Sequence, residues 1–151
     1  MAIKDSSESV KTHYLGGRFE NIYIDRGRIP SLAELLDEAI QYASQILDTY
    51  KNSDLKLKVG FWFNEMQAGH KTSAHTHDED DELLSGVYYI NVPESSGNLV
   101  LGDTTKESDE CVSITPIAGE FIFFSPRLLH AVDENESGQM RLSIGMNFGS
   151  V

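Results

Sequence analysis

The residues best suited to chemistry are two histidines one position apart, His75 and His77, and a third, His130, far along the chain. Side chains at positions i and i+2 of an extended strand project from the same face, so His75 and His77 are placed to bind one ion. A histidine from a distant strand would complete a three-point metal site on one side of that ion. The pair alone is a weak signal, and the prediction depends on His130 and the residues after it.

A second group of polar residues lies on the strand predicted from Gln139 to Phe148. Every second residue there is apolar, and the intervening face carries Arg141, Ser143, Gly145 and Asn147. One interpretation is an edge strand with a wet polar face. The other is a carboxylate clamp, because an arginine binds a carboxylate through two parallel hydrogen bonds, a hydroxyl adds a third and a glycine leaves room for the ligand. The three histidines favour the clamp.

The elements that must position these residues are one helix and many short strands. Ser31 and Glu34 form a capping box, and apolar residues recur at three and four positions up to about Tyr50, which predicts a helix that supports a sheet. Leu15 to Arg18 resembles a turn. The predicted strands cover Asn21–Asp25, Leu55–Asn64, Ser85–Asn91, Asn98–Leu101, Cys111–Ile117, Glu120–Ser125 and Gln139–Phe148.

Many short strands after one helix predict an antiparallel sandwich or barrel. No internal repeat or low-complexity linker interrupts the 151 residues, so we expect a single domain over 1–151, with residues 1–12 flexible.

The composition excludes several classes of partner. A net charge of −12, from 24 acidic and 12 basic residues, disfavours nucleic acid and anionic membranes as partners. No segment is apolar enough to span a bilayer, and a single cysteine, Cys111, rules out an intrachain disulfide, so we expect a soluble, cytoplasmic protein. The acidic run at 78–82 is either a solvated loop or a feature that favours a cationic substrate.

In their order along the chain, the motifs resemble those of the iron(II)- and 2-oxoglutarate-dependent oxygenases. Within that superfamily the likeness is to the prolyl-hydroxylase-like branch, and to a small subgroup of oxygenase-like proteins with an HxH pair. It spans Phe61 to Phe148, and as an ordered set the motifs are more specific than any one of them. They are His75-x-His77, Tyr88-Tyr89-Ile90-Asn91, Ser96-Gly97-Asn98-Leu99, Gly119-Glu120-Phe121-Ile122-Phe123-Phe124, His130 and Arg141-x-Ser143.

The resemblance implies a mainly β fold, a double-stranded β-helix or cupin-like jelly roll with one supporting N-terminal helix. It also implies an iron(II) site and a site for the co-substrate 2-oxoglutarate, whose far carboxylate would lie on Arg141. The metal ligands would be His75, His77 and His130, and the 2-oxoglutarate site would consist of Arg141, Ser143, Tyr89 and Asn64. No side chain beyond the metal ligands would be catalytic.

One position departs from the usual pattern of this superfamily. The common facial triad is His-x-Asp/Glu followed by a distant His, whereas this chain has His77 where the carboxylate belongs. Either the site consists of three histidines, or the register shifts so that His77 and Glu79 form the pair. Both alternatives remain open at the level of sequence.

The implied reaction is hydroxylation of a peptide or small molecule with dioxygen, with release of succinate and carbon dioxide. One competing interpretation is a cupin-type dioxygenase that uses three histidines without 2-oxoglutarate. Another is a jelly roll that binds a metal or ligand without catalysis. The sequence does not identify the substrate, the physiological metal or the oligomeric state.

Overall fold

The structure, a computed structural model, describes residues 9–51, 55–77, 81–107 and 110–151. These ranges contain β-strands, one long helix and a single short 3-10 helix, Arg26–Arg28. The helix, α1, is Pro30–Lys51, and the strands are β1 (Val10–Leu15), β2 (Arg18–Tyr23), β3 (Leu57–Met66), β4 (Thr72–His75), β5 (Glu82–Asn91), β6 (Leu99–Leu101), β7 (Val112–Ile114), β8 (Phe121–Phe124), β9 (His130–Val132) and β10 (Arg141–Ser150).

The strands form two antiparallel sheets. The larger sheet has six strands in the order β1-β2-β3-β10-β5-β8, and the smaller has four in the order β4-β9-β6-β7. Strands that are neighbours in space are mostly far apart in sequence, as β4 and β9 are. The fold is therefore the double-stranded β-helix, or jelly roll, that the sequence predicted.

The hydrophobic core lies between α1 and one face of the larger sheet. The helix contributes a buried stripe that includes Leu36, Ala39 and Ala43, and β10 contributes Ile144 and Met146. Because side chains alternate between the two faces of a strand, packing these apolar residues against the helix turns Arg141, Ser143 and Gly145 toward the smaller sheet. The core thus determines which face of β10 is available for a site.

Strand register aligns the predicted site residues across three neighbouring strands. Ser143 on β10 lies beside Asn64 on β3 and beside Tyr89 on β5, so these three form one row. In the next row Arg141 pairs with Met66. The polar residues form one continuous surface although they come from separate parts of the sequence.

Part of the segment expected to be flexible, residues 1–12, lies within the described ranges. Residues 1–8 lie outside the described ranges, but Val10, Lys11 and Thr12 belong to β1 and pair with Tyr23, Ile22 and Asn21. Gly16 and Gly17, both with positive φ, form the turn that returns the chain as β2. Pairing with β2 makes this polar segment a strand, and the local sequence of the segment does not indicate that pairing.

Two strands that carry site residues were not predicted. β4 and β9 have four and three residues, which is too short for a period of two to stand out. In the described part of the chain no helix is long and apolar enough to cross a membrane.

Replacing Leu36 tests the packing of α1 on the sheet. The side chain is fully buried, so Leu36→Ala should lower the free energy of unfolding by about 2–5 kcal/mol through lost burial and a residual cavity. Asp37→Ala, at an exposed position of the same helix, should change it by less than about 0.5 kcal/mol. Urea denaturation measures both, and equal effects would contradict the proposed core.

Candidate metal site and the adjoining polar pocket

The structure brings the three predicted histidines together. His75, His77 and His130 each offer a ligand atom, and these atoms lie within 4.8 Å of one another. His75 at the end of β4 pairs directly with His130 at the start of β9. His77 lies just beyond β4, where its backbone N–H donates to the Pro126 carbonyl at 2.8 Å. β4 ends at His75, so His77 lies outside the strand, yet its ring joins the same cluster.

Each of the three rings has its Nδ1 atom close to an acceptor oxygen. Nδ1 of His75 lies 2.7 Å from the Ser73 carbonyl, and Nδ1 of His130 lies 2.9 Å from the Leu128 carbonyl. His77 has a carboxylate partner, Glu82 Oε2, at 3.0 Å. Because these oxygens only accept, Nδ1 must carry the proton, and the lone pair of each Nε2 is left for a metal. The donor set fits iron(II), which imidazole ligands suit.

Burial keeps His130 uncharged at neutral pH. Desolvation lowers the pKa of His130 to about 4, only partly offset by the hydrogen bond to the Leu128 carbonyl, and the neighbouring His75 and His77 lower it further. A metal requires the neutral imidazole, so this environment favours the form that binds.

Packing fixes the orientation of the histidine rings. Trp62 stacks on His77 with ring centroids 5.9 Å apart, and Phe124 lies 4.8 Å from His130. Gly145 was expected to leave room for a ligand, and it lines the cavity. A Cβ at Gly145 would also collide with the Trp62 indole, so the missing side chain makes room for Trp62.

A cavity of about 450 Å³ extends from the histidines between the two sheets. Its wall includes Arg141, Ser143, Tyr89 and Asn64, the four residues predicted to bind 2-oxoglutarate. Another part of the wall comes from the β1–β2 hairpin and consists of His13, Glu20, Asn21 and Tyr23. One cavity therefore joins the metal site, the predicted clamp and the N-terminal hairpin.

Arg141 is a buried cation without an acidic partner among the described residues. It is 1% exposed, its Nε atom has no hydrogen-bond partner in the described ranges, and its Nη1 atom lies 3.5 Å from the Met66 sulfur. Desolvation lowers the pKa of Arg141. Burying an unpaired charge is costly, and a carboxylate bound in the cavity would remove that cost. The arginine fits an anionic ligand.

Two buried hydroxyl groups lie beside this guanidinium. Ser143 is 2% exposed and Tyr89 is 1% exposed, and among the residues that the structure describes the Tyr89 hydroxyl has no hydrogen-bond partner. The Arg141 Cζ atom lies 5.4 Å from the centre of the Tyr89 ring. Burial raises the pKa of the Tyr89 phenol, although Arg141 opposes the effect. The phenol therefore stays protonated and can donate a hydrogen bond to a carboxylate.

Asn64 is held by an arginine that the sequence did not identify as important. Arg18 Nη1 donates to Asn64 Oδ1 at 2.9 Å, and the Asn64 amide nitrogen donates to the Thr72 hydroxyl at 3.2 Å. Arg18 also donates to the Lys71 carbonyl at 2.9 Å, which ties the hairpin to the chain before β4. The sequence indicated only a turn at Arg18. Its contacts are with residues far along the chain, and no local sequence pattern indicates such contacts.

Glu82 was also missed, because it ends the acidic run that was read as a solvated loop. Its side chain is only 5% exposed, and it bonds to His77 and accepts from the Ser85 hydroxyl at 2.9 Å. The alternative ligand Glu79 lies outside the described residues. The sequence feature that could have indicated Glu82 as a partner of His77 is its position, five residues after His77 and at the start of a strand.

Comparison with known proteins gives one family match. A family model described as "Putative 2OG-Fe(II) oxygenase" matches residues 60–147. That range contains all three histidines together with Arg141, Ser143, Tyr89 and Asn64. Among proteins of curated function, none matches the sequence significantly.

Several solved structures share the fold. A Pseudomonas putida prolyl-4-hydroxylase aligns with a TM-score of 0.67 and 21% identity, over 85% of this chain and 71% of its own. A Trichoplax adhaerens prolyl hydroxylase in complex with a hypoxia inducible factor peptide aligns at 0.62 and 17%, over 98% and 73%. The epimerase SnoN from nogalamycin biosynthesis, in complex with Fe3+ and alpha ketoglutarate, aligns at 0.68 and 16%, over 96% and 69%.

The depressed pKa of His130 predicts a pH-dependent stability of the metal-free protein. The folded value of about 4 lies below the ordinary value of about 6.5, so the unfolded chain takes up the proton first as pH falls. The contribution is complete above about pH 6.5 and is lost by about pH 4, with an upper limit of about 3 kcal/mol.

Urea denaturation in the presence of a chelator, from pH 7 to pH 4, measures this dependence. A His130→Asn variant removes the titrating ring and serves as the reference, because the remaining acidic groups titrate in both proteins. The wild type should lose more stability than the variant over this range, and parallel curves would show that His130 is not buried as described.

Proposed function

Since residues 60–147 are more than half of its 151 residues, the chain belongs to the 2OG-Fe(II) oxygenase family, and we propose that it hydroxylates a peptide or small-molecule substrate. With iron(II) bound, 2-oxoglutarate and dioxygen supply the oxidation that inserts one oxygen atom into a substrate C–H bond and yields succinate and carbon dioxide. The proposed ligands of the metal are His75, His77 and His130, and those of 2-oxoglutarate are Arg141, Ser143, Tyr89 and Asn64.

The buried, unpaired guanidinium of Arg141 is the observation that carries this proposal. A dicarboxylate that fills the cavity would neutralise Arg141 at one end and accept hydrogen bonds from Ser143 and Tyr89. Asn64, oriented by Arg18, can donate its second amide N–H to the same ligand. These groups bind and orient the co-substrate, and none of them needs to exchange a proton during the reaction.

Apolar side chains around the histidines limit the access of water to the reacting centre. Trp62, Phe124, Leu99 and Val132 line the cavity together with the histidine rings. A site that excludes water protects a reactive oxidant from side reactions. The chain therefore contributes placement and enclosure rather than a general base.

The proposed substrate carries a basic group. Support comes from the net charge of −12 and from Glu20, a pocket-lining residue on the β1–β2 hairpin whose side chain is 12% exposed. Asn21 and Tyr23 on the same strand offer polar groups to a peptide backbone. A hydroxylase of this fold has been solved with a bound peptide, which makes a peptide or protein loop a reasonable class to test.

The remaining parts of the proposal concern the whole protein. We propose that residues 1–151 act as one oxygenase domain in the cytoplasm, where its free and exposed Cys111 stays reduced. The negative charge argues against nucleic-acid and anionic membrane partners.

Arg141→Lys tests the co-substrate site. Lysine retains the positive charge but cannot form two parallel hydrogen bonds to a carboxylate, so the affinity for 2-oxoglutarate should fall about 10- to 100-fold. The measurement is the weak visible charge-transfer band that forms when iron(II) and 2-oxoglutarate are added without oxygen, followed by succinate release in air. Arg127→Lys, the same change at an exposed position before His130, should leave the band unaltered.

The results also separate the competing functions. No band with the wild type, or full affinity in Arg141→Lys, would contradict the proposal. A cupin-type dioxygenase without 2-oxoglutarate would show oxygen consumption that is indifferent to Arg141. A jelly roll that only binds a metal would consume neither oxygen nor 2-oxoglutarate with any substrate.

Peptide libraries test the substrate class. Peptides of equal length, rich either in lysine and arginine or in aspartate and glutamate, are incubated with iron(II), 2-oxoglutarate and air. We expect the mass gain of one oxygen atom only among the basic peptides, and a weaker gain with Glu20→Gln because a negative charge leaves the pocket wall. Glu94→Gln, at an exposed position away from the cavity, is the control. Preferential hydroxylation of acidic peptides would overturn the charge argument.

A further inference from the structure

We propose that Glu82 is a positioning residue that supplies, through His77, the negative charge missing from the metal ligands. This inference rests on the proposed function, because it concerns the metal that His75, His77 and His130 would hold. It assigns a role to a residue that belongs to neither the proposed ligand set nor the 2-oxoglutarate site.

The three histidines have different partners on the nitrogen that faces away from the metal. His75 and His130 each bond to a neutral backbone carbonyl, from Ser73 and Leu128. His77 bonds to a carboxylate, Glu82 Oε2, at 3.0 Å. His77 occupies the position where the facial triad normally has a carboxylate. It is also the one histidine of the three that is bonded to a carboxylate.

The Glu82 carboxylate is held in place on both of its oxygens. Oε2 faces His77, and Oε1 accepts from the Ser85 hydroxyl at 2.9 Å. The Glu82 side chain is 5% exposed and that of His77 is 17% exposed, so bulk water screens this pair only weakly. On its other side the His77 ring stacks against Trp62. Packing and a charged hydrogen bond together leave His77 one orientation.

A carboxylate behind a metal-binding histidine has two physical effects. It fixes the proton on Nδ1 and makes Nε2 a stronger base, so the metal is bound more tightly. It also places one negative charge within a hydrogen bond of the ligand set. Three neutral imidazoles contribute no charge to the site, whereas two imidazoles and a carboxylate contribute one negative charge. Glu82 supplies that negative charge from behind His77, without itself binding the metal.

Glu82→Gln separates the charge from the hydrogen bonds. Glutamine has the same shape, and its amide oxygen can still accept from His77 while its NH₂ group donates to the Ser85 hydroxyl. Glu82→Ala removes both the charge and the contact. Glu65→Gln is the matched control, because Glu65 is also a buried glutamate but lies on the opposite face of β3 from Trp62 and Asn64.

Metal titration is the first measurement. Cobalt(II), and iron(II) without oxygen, are titrated into the metal-free proteins, and the fluorescence of Trp62, the only tryptophan, reports binding beside His77. Affinity should fall about 10-fold in Glu82→Gln and about 100-fold in Glu82→Ala, the range expected for partners of metal ligands, and should not change in Glu65→Gln. Thermal unfolding of the metal-free Glu82→Gln protein should match the wild type.

The reduction potential of the bound iron is the second measurement, and a purely structural role would not move it. Removing a negative charge next to the ligands disfavours iron(III), so the potential should be higher in Glu82→Gln than in the wild type and in Glu65→Gln. Unchanged affinity and unchanged potential in Glu82→Gln, with a wild type that binds metal and forms the 2-oxoglutarate band, would overturn this inference alone. A wild type that binds neither metal would overturn the proposed function and this inference with it.

Discussion

A single strand, β10, has to satisfy two opposite requirements, and the rest of the molecule is arranged around it. It lies between β3 and β5 in the larger sheet, and its side chains alternate strictly between the helix and the cavity. Ile144, Met146 and Phe148 are almost completely buried under α1. That burial leaves no freedom in register, because a slip by one residue would turn every apolar side chain into the pocket and every polar one into the core. The hydrophobic core therefore positions Arg141 and Ser143 as firmly as any direct contact.

The electrostatics of the cavity are unusual for so acidic a protein. Despite a net charge of −12, two arginines, Arg18 and Arg141, are almost completely buried, and the positive charge of Arg18 adds to desolvation in lowering the pKa of Arg141. Arg18 is compensated by carbonyl and amide oxygens and distantly by Glu20, whereas Arg141 is left for an anion. The cavity thus divides into an end that attracts a carboxylate and an end that offers lone pairs to a metal.

The sequence predicted those helices and strands in which the regular spacing of apolar residues shows which face is buried. The helix was expected from Ser31 to about Tyr50 and is Pro30–Lys51, and the alternation of β3 and β10 was also recognised. From the chain alone His75, His77, His130 and Arg141 could be proposed as partners, since their order resembles a known family. Arg18 and the use of Gly145 by Trp62 could not, because each depends on contacts between residues distant along the chain. Strands as short as β4 and β9 have no period to detect.

The hydrogen bonds of Arg18 connect two parts of the cavity wall, which has a consequence for ligand affinity. The Arg18 guanidinium holds the Asn64 side chain, the Lys71 carbonyl and the Thr72 hydroxyl, and Arg18 lies on the same strand as Glu20 and Asn21, which also line the cavity. Arg18 therefore connects β2 to Asn64, so a ligand that displaced β2 would act on Asn64 through these hydrogen bonds. Any coupling of this kind is reciprocal, so each ligand changes the affinity for the other by the same factor.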